Sequence, residues 1–447
     1  MKLRITALLA CIGLALAVPG PAQADAPEVH DGSGLTVTAT NHIDDRQTEY
    51  TVTTDALEKP VHIRVVLPTG FDPGHRYPVL YLYHGTSGRP SDWINDGDAL
   101  ATTASKDLIL VLPEAGYDGD GGGWFVNWWN NGQGGKPLWE TFEVDQVIPW
   151  IDANFPTIAD RDHRAIAGLS QGGFGAMHAA ARHPGLFTSV ATFSGAPEIW
   201  RDAVVRLGAD AIIEAVTVAL DNKPIFSILG DPVINYVHWQ GHDPGMLVSN
   251  LHGVDIAMWV ADGLPGPLDT PDKELSISGN LIEGGTSLST HAFDRDLTNA
   301  GIPHYLKDYV FGTHNFPYWA QDLREYMPRL LDRFAHPSAP PAAVDYQSID
   351  KSFAQWGWSV DVVRVKPEAM TELRAATVAG FQVKGADPTI VTTPALYPPN
   401  STRTVKIVSS GTSTTRILTT DAQGRLSVKI SLGVLGLPTI GTVSIIS

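Results

Sequence analysis

Arg164-Ala165-Ile166-Ala167-Gly168-Leu169-Ser170-Gln171-Gly172-Gly173 is the stretch on which the fold turns. Its first four residues read as a short apolar strand, and a Gly/Ala-rich segment from about Gly172 to Arg182 reads as a helix. Between them, Gly168-Leu169-Ser170-Gln171-Gly172 fits G-x-S-x-G, a sharp strand-to-helix turn. Such a turn brings neighbouring backbone so close that the flanking positions cannot carry side chains. The Ser170 hydroxyl is left standing at a helix N-terminus, where the helix dipole favours a developing negative charge. Ser170 is therefore the candidate nucleophile.

Before this turn, Leu35–Thr38, Tyr50–Val52 and Val61–Leu67 alternate or run apolar between turn residues, which predicts strands. Pro78–Tyr83 and Leu108–Leu112 are continuous apolar runs, the mark of strands buried on both faces. Val144, Val147, Ile148, Ile151 and Phe155 keep helical spacing, and Pro149 inside the run predicts a kink or a late start. After the turn come strands at Ser189–Phe193, Ile256–Ala261 and Tyr305–Val310, with helices over Thr286–Ala300 and Tyr318–Phe334. This alternation implies a mostly parallel sheet covered on both faces, so the fold class is α/β, and the serine turn makes it an α/β-hydrolase fold.

His336–Ala343, rich in Pro and Ala, reads as a linker. Beyond it, the short β-rich runs Trp358–Val365, Thr389–Thr393, Arg403–Ser409, Thr415–Thr419 and Leu426–Ile430 predict a small C-terminal all-β sandwich. Pro367–Arg374 carries a short helical pattern. The predicted organisation is a leader over 1–24, a catalytic domain over 25–335, a linker over 336–346 and a β-sandwich accessory domain over 347–447.

A serine nucleophile needs a base, and in this fold the chain order is Ser, acid, His. Phe311-Gly312-Thr313-His314-Asn315 follows the last strand of the sheet and precedes the closing helix, which singles out His314 among fifteen histidines. Two carboxylates compete for the role of acid. Asp262 directly follows the strand Ile256–Ala261, Glu283 lies just before a predicted helix, and spacing alone leaves both open. The oxyanion would be held by the backbone N–H of Gln171 and by that of Thr86, in the turn Tyr83-His84-Gly85-Thr86.

Trp139-Glu140-Thr141-Phe142 ahead of a helix, Gly168-Leu169-Ser170, and Gly312-Thr313-His314 with Tyr318-Trp319 close behind resemble the putative-esterase family. That family includes the antigen 85 mycolyltransferases and S-formylglutathione hydrolase, and the resemblance runs from about Val61 to Phe334. It implies a serine carboxylic-ester hydrolase or acyltransferase that works through an acyl-enzyme. A lipid or acyl ester would be the substrate, water or a sugar hydroxyl the acceptor, and no metal or organic cofactor is implied. In the mycolyltransferases the acid is a Glu about ten residues before a helix Phe and about thirty before the His. Glu283, Phe293 and His314 keep that spacing, so the resemblance favours Glu283 and leaves Asp262 as the alternative. Where those enzymes carry an Asp-Gly-Leu-Arg turn, this chain has His84-Gly85-Thr86-Ser87, which weakens the case for trehalose as acceptor. A non-catalytic glycan- or cell-wall-binding protein on the same fold is the reading of a different class, disfavoured by the complete Ser-Glu-His set.

The N-terminus has Lys2 and Arg4, an apolar run to about Val18, and Ala22-Gln23-Ala24, the pattern of a secretory leader cleaved before Asp25. Leu8-Leu9-Ala10-Cys11 loosely resembles a lipoprotein site, but the apolar run continues past Cys11. Cys11 is the only cysteine, so the mature chain would hold neither disulfide nor thiol nucleophile. Loss of the leader takes the formal charge from −17 to −19, which excludes nucleic acid and anionic lipid as natural partners. No later apolar run is long enough to span a membrane, so a secreted or envelope location is expected, with cell-wall contact through the C-terminal region. Phe353, Trp356 and Trp358 there read as core or as ligand contacts.

The glycine-rich loop Asp118–Trp124 lacks the closing Glu of a calcium loop and reads instead as a pocket wall. Trp124, with Trp319, is a candidate substrate contact. His238 and His242 are four apart, but Gly241 and Pro244 argue for a loop rather than a zinc-binding helix. The segment from about Glu198 to Asn250 is placed to cap the pocket.

Overall fold

In the computed structural model, which describes residues 26–269, 277–364, 368–433 and 437–446, nine strands make one sheet. They are β1 (Leu35–His42), β2 (Gln47–Thr54), β3 (Val61–Val66), β4 (Val79–Tyr83), β5 (Ile109–Pro113), β6 (Arg164–Leu169), β7 (Ser189–Phe193), β8 (Asp255–Val260) and β9 (Tyr305–Asp308). Their spatial order is β1-β2-β3-β5-β4-β6-β7-β8-β9. The pairs from β1 through β3 to β5 are antiparallel, and every pair from β5 to β9 is parallel. β4 shows why the central strands read as continuous apolar runs. Val79, Tyr81 and Tyr83 join the core on one face, and Leu80 and Leu82 join the core on the other. The helix Gln171–Arg182 covers the first face with Phe174 and Met177. The closing helix Phe316–Ala335 covers the second with Leu323, Tyr326 and Leu330.

Several predicted elements shift, each for a physical reason. Residues Thr141–Val147 wind as wide π-helical turns, and a regular α-helix runs only over Ile148–Asn154 with Pro149 in its first turn. Proline has no N–H to give and clashes with the preceding turn, so the wider turn absorbs it. The helix expected from Thr286 runs over Ile277–Asn299, so Glu283 lies within it rather than before it. Gly284-Gly285 hides this extension from propensity, while burial of Phe293 and Leu297 secures it. His238 and His242, expected in a loop, sit on the helix Tyr236–His242. That helix ends at His242, so Pro244 falls beyond it and Gly241 costs only its last turn.

Beyond Ala343 all strands are antiparallel, in one six-stranded and one four-stranded sheet around a shared core. Phe353 and Trp358 are buried in that core, whereas Trp356 lies 4.4 Å from the guanidinium of Arg161 on the larger region. The helical pattern at Pro367–Arg374 is overruled: Thr371–Thr377 is a strand between Val344–Ser348 and Gly380–Gly385. The strand expected over Trp358–Val365 ends at Val362. Val365, Pro367 and the leader fall outside the described residues. Among the described residues no helix is long and apolar enough to cross a membrane.

Candidate active site

β6 ends at Leu169 and the next helix begins at Gln171, leaving Ser170 alone at the corner with φ 52° and ψ −123°. An L-residue adopts that conformation only where its surroundings force it. A Cβ on Gly168 would stand 2.2 Å from the carbonyl oxygen of Gly172, and one on Gly172 would stand 2.3 Å from that of His84. Any other residue at either position would push the corner open.

His314 Nε2 lies 2.8 Å from Ser170 Oγ, and His314 Nδ1 lies 2.6 Å from Glu283 Oε2. Glu283 is 1 % exposed, and its other oxygen accepts from Ser194 Oγ and the Ala261 N–H, both at 2.9 Å. With both oxygens engaged, the carboxylate cannot rotate away from the imidazole. Asp262 is not part of this group; its Oδ1 accepts from the Leu264 N–H at 2.8 Å and organises its own turn. The loop that carries His314 is tied down through Asp269, which accepts from Thr313 Oγ1 and, at 2.9 Å, from Tyr318 Oη.

Thr86, Trp124, Ser170, Gln171, His314 and Trp319 all line one pocket of about 480 Å³. Trp319 also meets the His314 ring edge-on, with centroids 4.9 Å apart. The turn bearing Thr86 is held by His84. The Ala115 N–H donates to His84 Nε2 at 2.9 Å, so the proton sits on Nδ1, 2.8 Å from the Gly85 carbonyl. Burial lowers the pKa of His84, in keeping with this neutral tautomer. The sequence drew attention only to the N–H of Gln171, yet its side chain braces two walls. Nε2 donates to the Gly121 carbonyl (3.0 Å) and to Thr86 Oγ1 (3.2 Å), and Oε1 accepts from the Trp124 N–H (3.3 Å). Ser194 was likewise unread, since nothing in its neighbourhood of sequence points to Glu283. Asp120 serves its own loop, accepting from the Tyr117 and Gly122 N–H groups.

Glu140, His178 and His242 bring potential metal-donor atoms within 4.8 Å of one another, all buried. However, Glu140 already accepts from Arg182 (2.6 Å) and His183 (2.8 Å), and the guanidinium beside it would repel a cation. His178 Nε2 and His242 Nδ1 lie 2.8 Å apart and satisfy each other. Burial lowers the pKa of His178 to about 3 and that of His242 well below the usual value. The unfolded chain therefore binds more protons below pH 6.5 than the folded one, and stability is lost as pH falls from 6.5 toward 3. Each pH unit in that window costs up to about 1.4 kcal/mol per histidine. His178→Gln is expected to flatten the pH dependence of the unfolding free energy, read from urea titrations, by about that slope. Parallel curves for variant and parent would refute the assignment.

The comparisons with known proteins agree with this architecture. The chain is 33 % identical over 293 residues to Esterase Rv1288 of Mycobacterium tuberculosis (strain ATCC 25618 / H37Rv), covering 64 % of this chain and 59 % of that protein. It thus spans only about three-fifths of that relative's length. It is 24 % identical over 255 residues to the diacylglycerol acyltransferase/mycolyltransferase Ag85C of Mycobacterium avium, covering 56 % of this chain and 68 % of the relative. The crystal structure of Mycobacterium tuberculosis MPT51 superposes with a TM-score of 0.51 at 20 % identity, over 66 % of this chain and 99 % of that one, a likeness of fold. The model of the family described as Putative esterase matches residues 54–330, more than half of the chain, and with the serine corner and its histidine inside that span the chain belongs to this family of esterases.

Proposed function

We propose that the protein is an exported serine esterase that forms an acyl-enzyme on Ser170. The reading is carried by the unbroken run of hydrogen bonds from Ser170 Oγ through His314 to Glu283 at the floor of an apolar pocket. His314 Nε2 takes the hydroxyl proton as Oγ attacks the ester carbonyl, and Glu283 stabilises the imidazolium that results. The N–H groups of Gln171 and Thr86 stabilise the oxyanion, each worth on the order of a hundredfold in rate. His314 then returns the proton to the leaving alcohol, and the acyl group stays on Ser170 until an acceptor, activated by the same imidazole, removes it. Trp124 and Trp319 contact the acyl portion. The leader over 1–24 directs export, 25–335 holds the chemistry, and 347–447 is an accessory domain reached through 336–346.

Water is the first acceptor to consider, and a hydroxyl acceptor such as a sugar is the second, in line with the acyltransferase name of the Ag85C relative. A fluorophosphonate probe is expected to label the intact protein at Ser170 and to leave Ser170→Ala unlabelled. Incubation of a long-chain ester with excess trehalose then separates the acceptors. Free fatty acid alone defines an esterase, and acylated trehalose defines a transferase. Absence of both labelling and turnover would overturn the enzymatic reading in favour of a binding protein.

A further inference from the structure

The helix Ala203–Ala219, in the crossover between β7 and β8, buries Val205, Ile213 and Thr217 and turns a second apolar stripe to the outside. Its three charged residues, Arg206, Asp210 and Glu214, fall four apart on one stripe, and that stripe is half-buried. The Arg206 guanidinium lies 4.6 Å from the Trp200 ring centroid, and Glu214 accepts from the Phe226 N–H. The exposed stripe is Val204, Leu207, Ala211, Ala215 and Val218, with Leu207 71 % and Val218 48 % exposed and no charge among them. A soluble surface helix shows the opposite pattern.

The surroundings extend this surface rather than interrupt it. Leu207 shares a shallow groove of about 340 Å³ with Val233, which is 81 % exposed, and with Tyr236, and the half-buried Arg206 and Asp210 line the same groove as a pair of opposite charges. A third face of the same helix, through Ala209, Ile212, Val216 and Leu220, forms a wall of the pocket above Ser170. Ile282, from the helix Ile277–Asn299, also lines the pocket, and its neighbour Leu281 is 73 % exposed. The exposed stripe therefore adjoins the pocket wall on the same helix, with Ile212, 38 % exposed, at the rim between them. A patch of this kind marks a site of contact rather than a random scatter of exposed side chains.

We propose that this face docks on a neutral or zwitterionic lipid surface and passes an acyl ester from it directly into the pocket. The continuity with the pocket identifies the occupant as acyl chains, because a chain leaving such a surface reaches Ser170 without crossing water. The absence of Lys and Arg from the exposed stripe, on a chain of net charge −17, sets the surface chemistry as uncharged rather than anionic. The inference rests on the esterase reading, but its test does not.

The test uses the full chain with Ser170→Ala, so that lipid is not consumed, in flotation with phosphatidylcholine vesicles containing dioleoylglycerol. The protein is expected to float with the vesicles, and partial replacement of phosphatidylcholine by phosphatidylglycerol is expected to weaken binding. Adding Leu207→Asp and Val218→Asp is expected to raise the vesicle Kd about tenfold or more. With Ser170 restored, that Asp pair should still hydrolyse a water-soluble short-chain ester at the parent rate, which verifies folding. The proposal is overturned if the Ser170→Ala chain stays in the lipid-free fraction at every vesicle concentration, or if the Asp pair floats equally well. It is also overturned if the chain is a dimer that the Asp pair dissociates, because a second copy would then cover the face. Failure of the parent on the soluble ester would instead count against the esterase reading, whatever the vesicles show.

Discussion

Ser170→Ala is expected to lower kcat on a water-soluble carboxylic ester by about 10⁴- to 10⁶-fold, with KM and the folded state little changed. The hydroxyl is the only group at the corner that can attack, and alanine keeps its backbone while removing the oxygen that His314 Nε2 contacts at 2.8 Å. His314→Gln is expected to cost nearly as much, and the double variant no more than either alone, because the residues act as one unit. Glu283→Gln should cost about 10³- to 10⁴-fold, since the amide can donate to His314 and favour the wrong tautomer. Asp262→Asn should change kcat by less than about threefold, because its carboxylate serves only its own turn. Steady-state kinetics with circular dichroism as a folding control checks the series. An Asp262 effect as large as that of Glu283 would refute the assignment of the acid.

The largest expected effect on stability lies at the other end of the same helix. Arg182 is buried, donates to Glu140, to the Gly241 carbonyl and to both oxygens of Asp350, and its own carbonyl accepts from Tyr346 Oη. Burial opposes the charge on Glu140, but Arg182 and then the hydrogen bond from His183 hold its carboxyl well below the usual carboxylate range. Arg182→Met leaves that carboxylate buried beside a hydrocarbon, and a loss of about 3–5 kcal/mol is expected in urea or thermal unfolding. Arg182→Met with Glu140→Gln should recover part of the loss, because no uncompensated charge then remains. Purely additive effects of the two substitutions would show that the pair is not coupled.

The serine corner, the alternation of strands and helices and the histidine after β9 were all legible in the sequence, because each depends on local rules. Glycine where no Cβ fits, apolar runs where both faces are buried, and a turn after a strand are written in consecutive residues. The choice between Asp262 and Glu283 was not, because it depends on which way one helix turns relative to the sheet. Resemblance of spacing favoured Glu283, but its place within the helix and its bonds to Ser194 and Ala261 appear only in three dimensions. His238 and His242 were misread for a similar reason: packing of Trp239 in the core holds a short helix that propensity alone would not. The bracing by the Gln171 side chain joins residues from three separate segments, and no pattern within any one of them announces it.

The crossover that carries the apolar helix leaves the sheet at β7 and returns at its immediate neighbour β8, with Ser170 and His314 on other connections. Lengthening a connection whose ends are already fixed side by side costs little, since closure entropy grows only with the logarithm of length. The wall that this crossover gives the pocket can thus be remodelled or shortened while Ser170 and His314 keep their registry. One wall of the pocket and the Ser170–His314 pair thus sit on separate connections, and the wall can vary in length beyond Ser194 while the pair keeps its place.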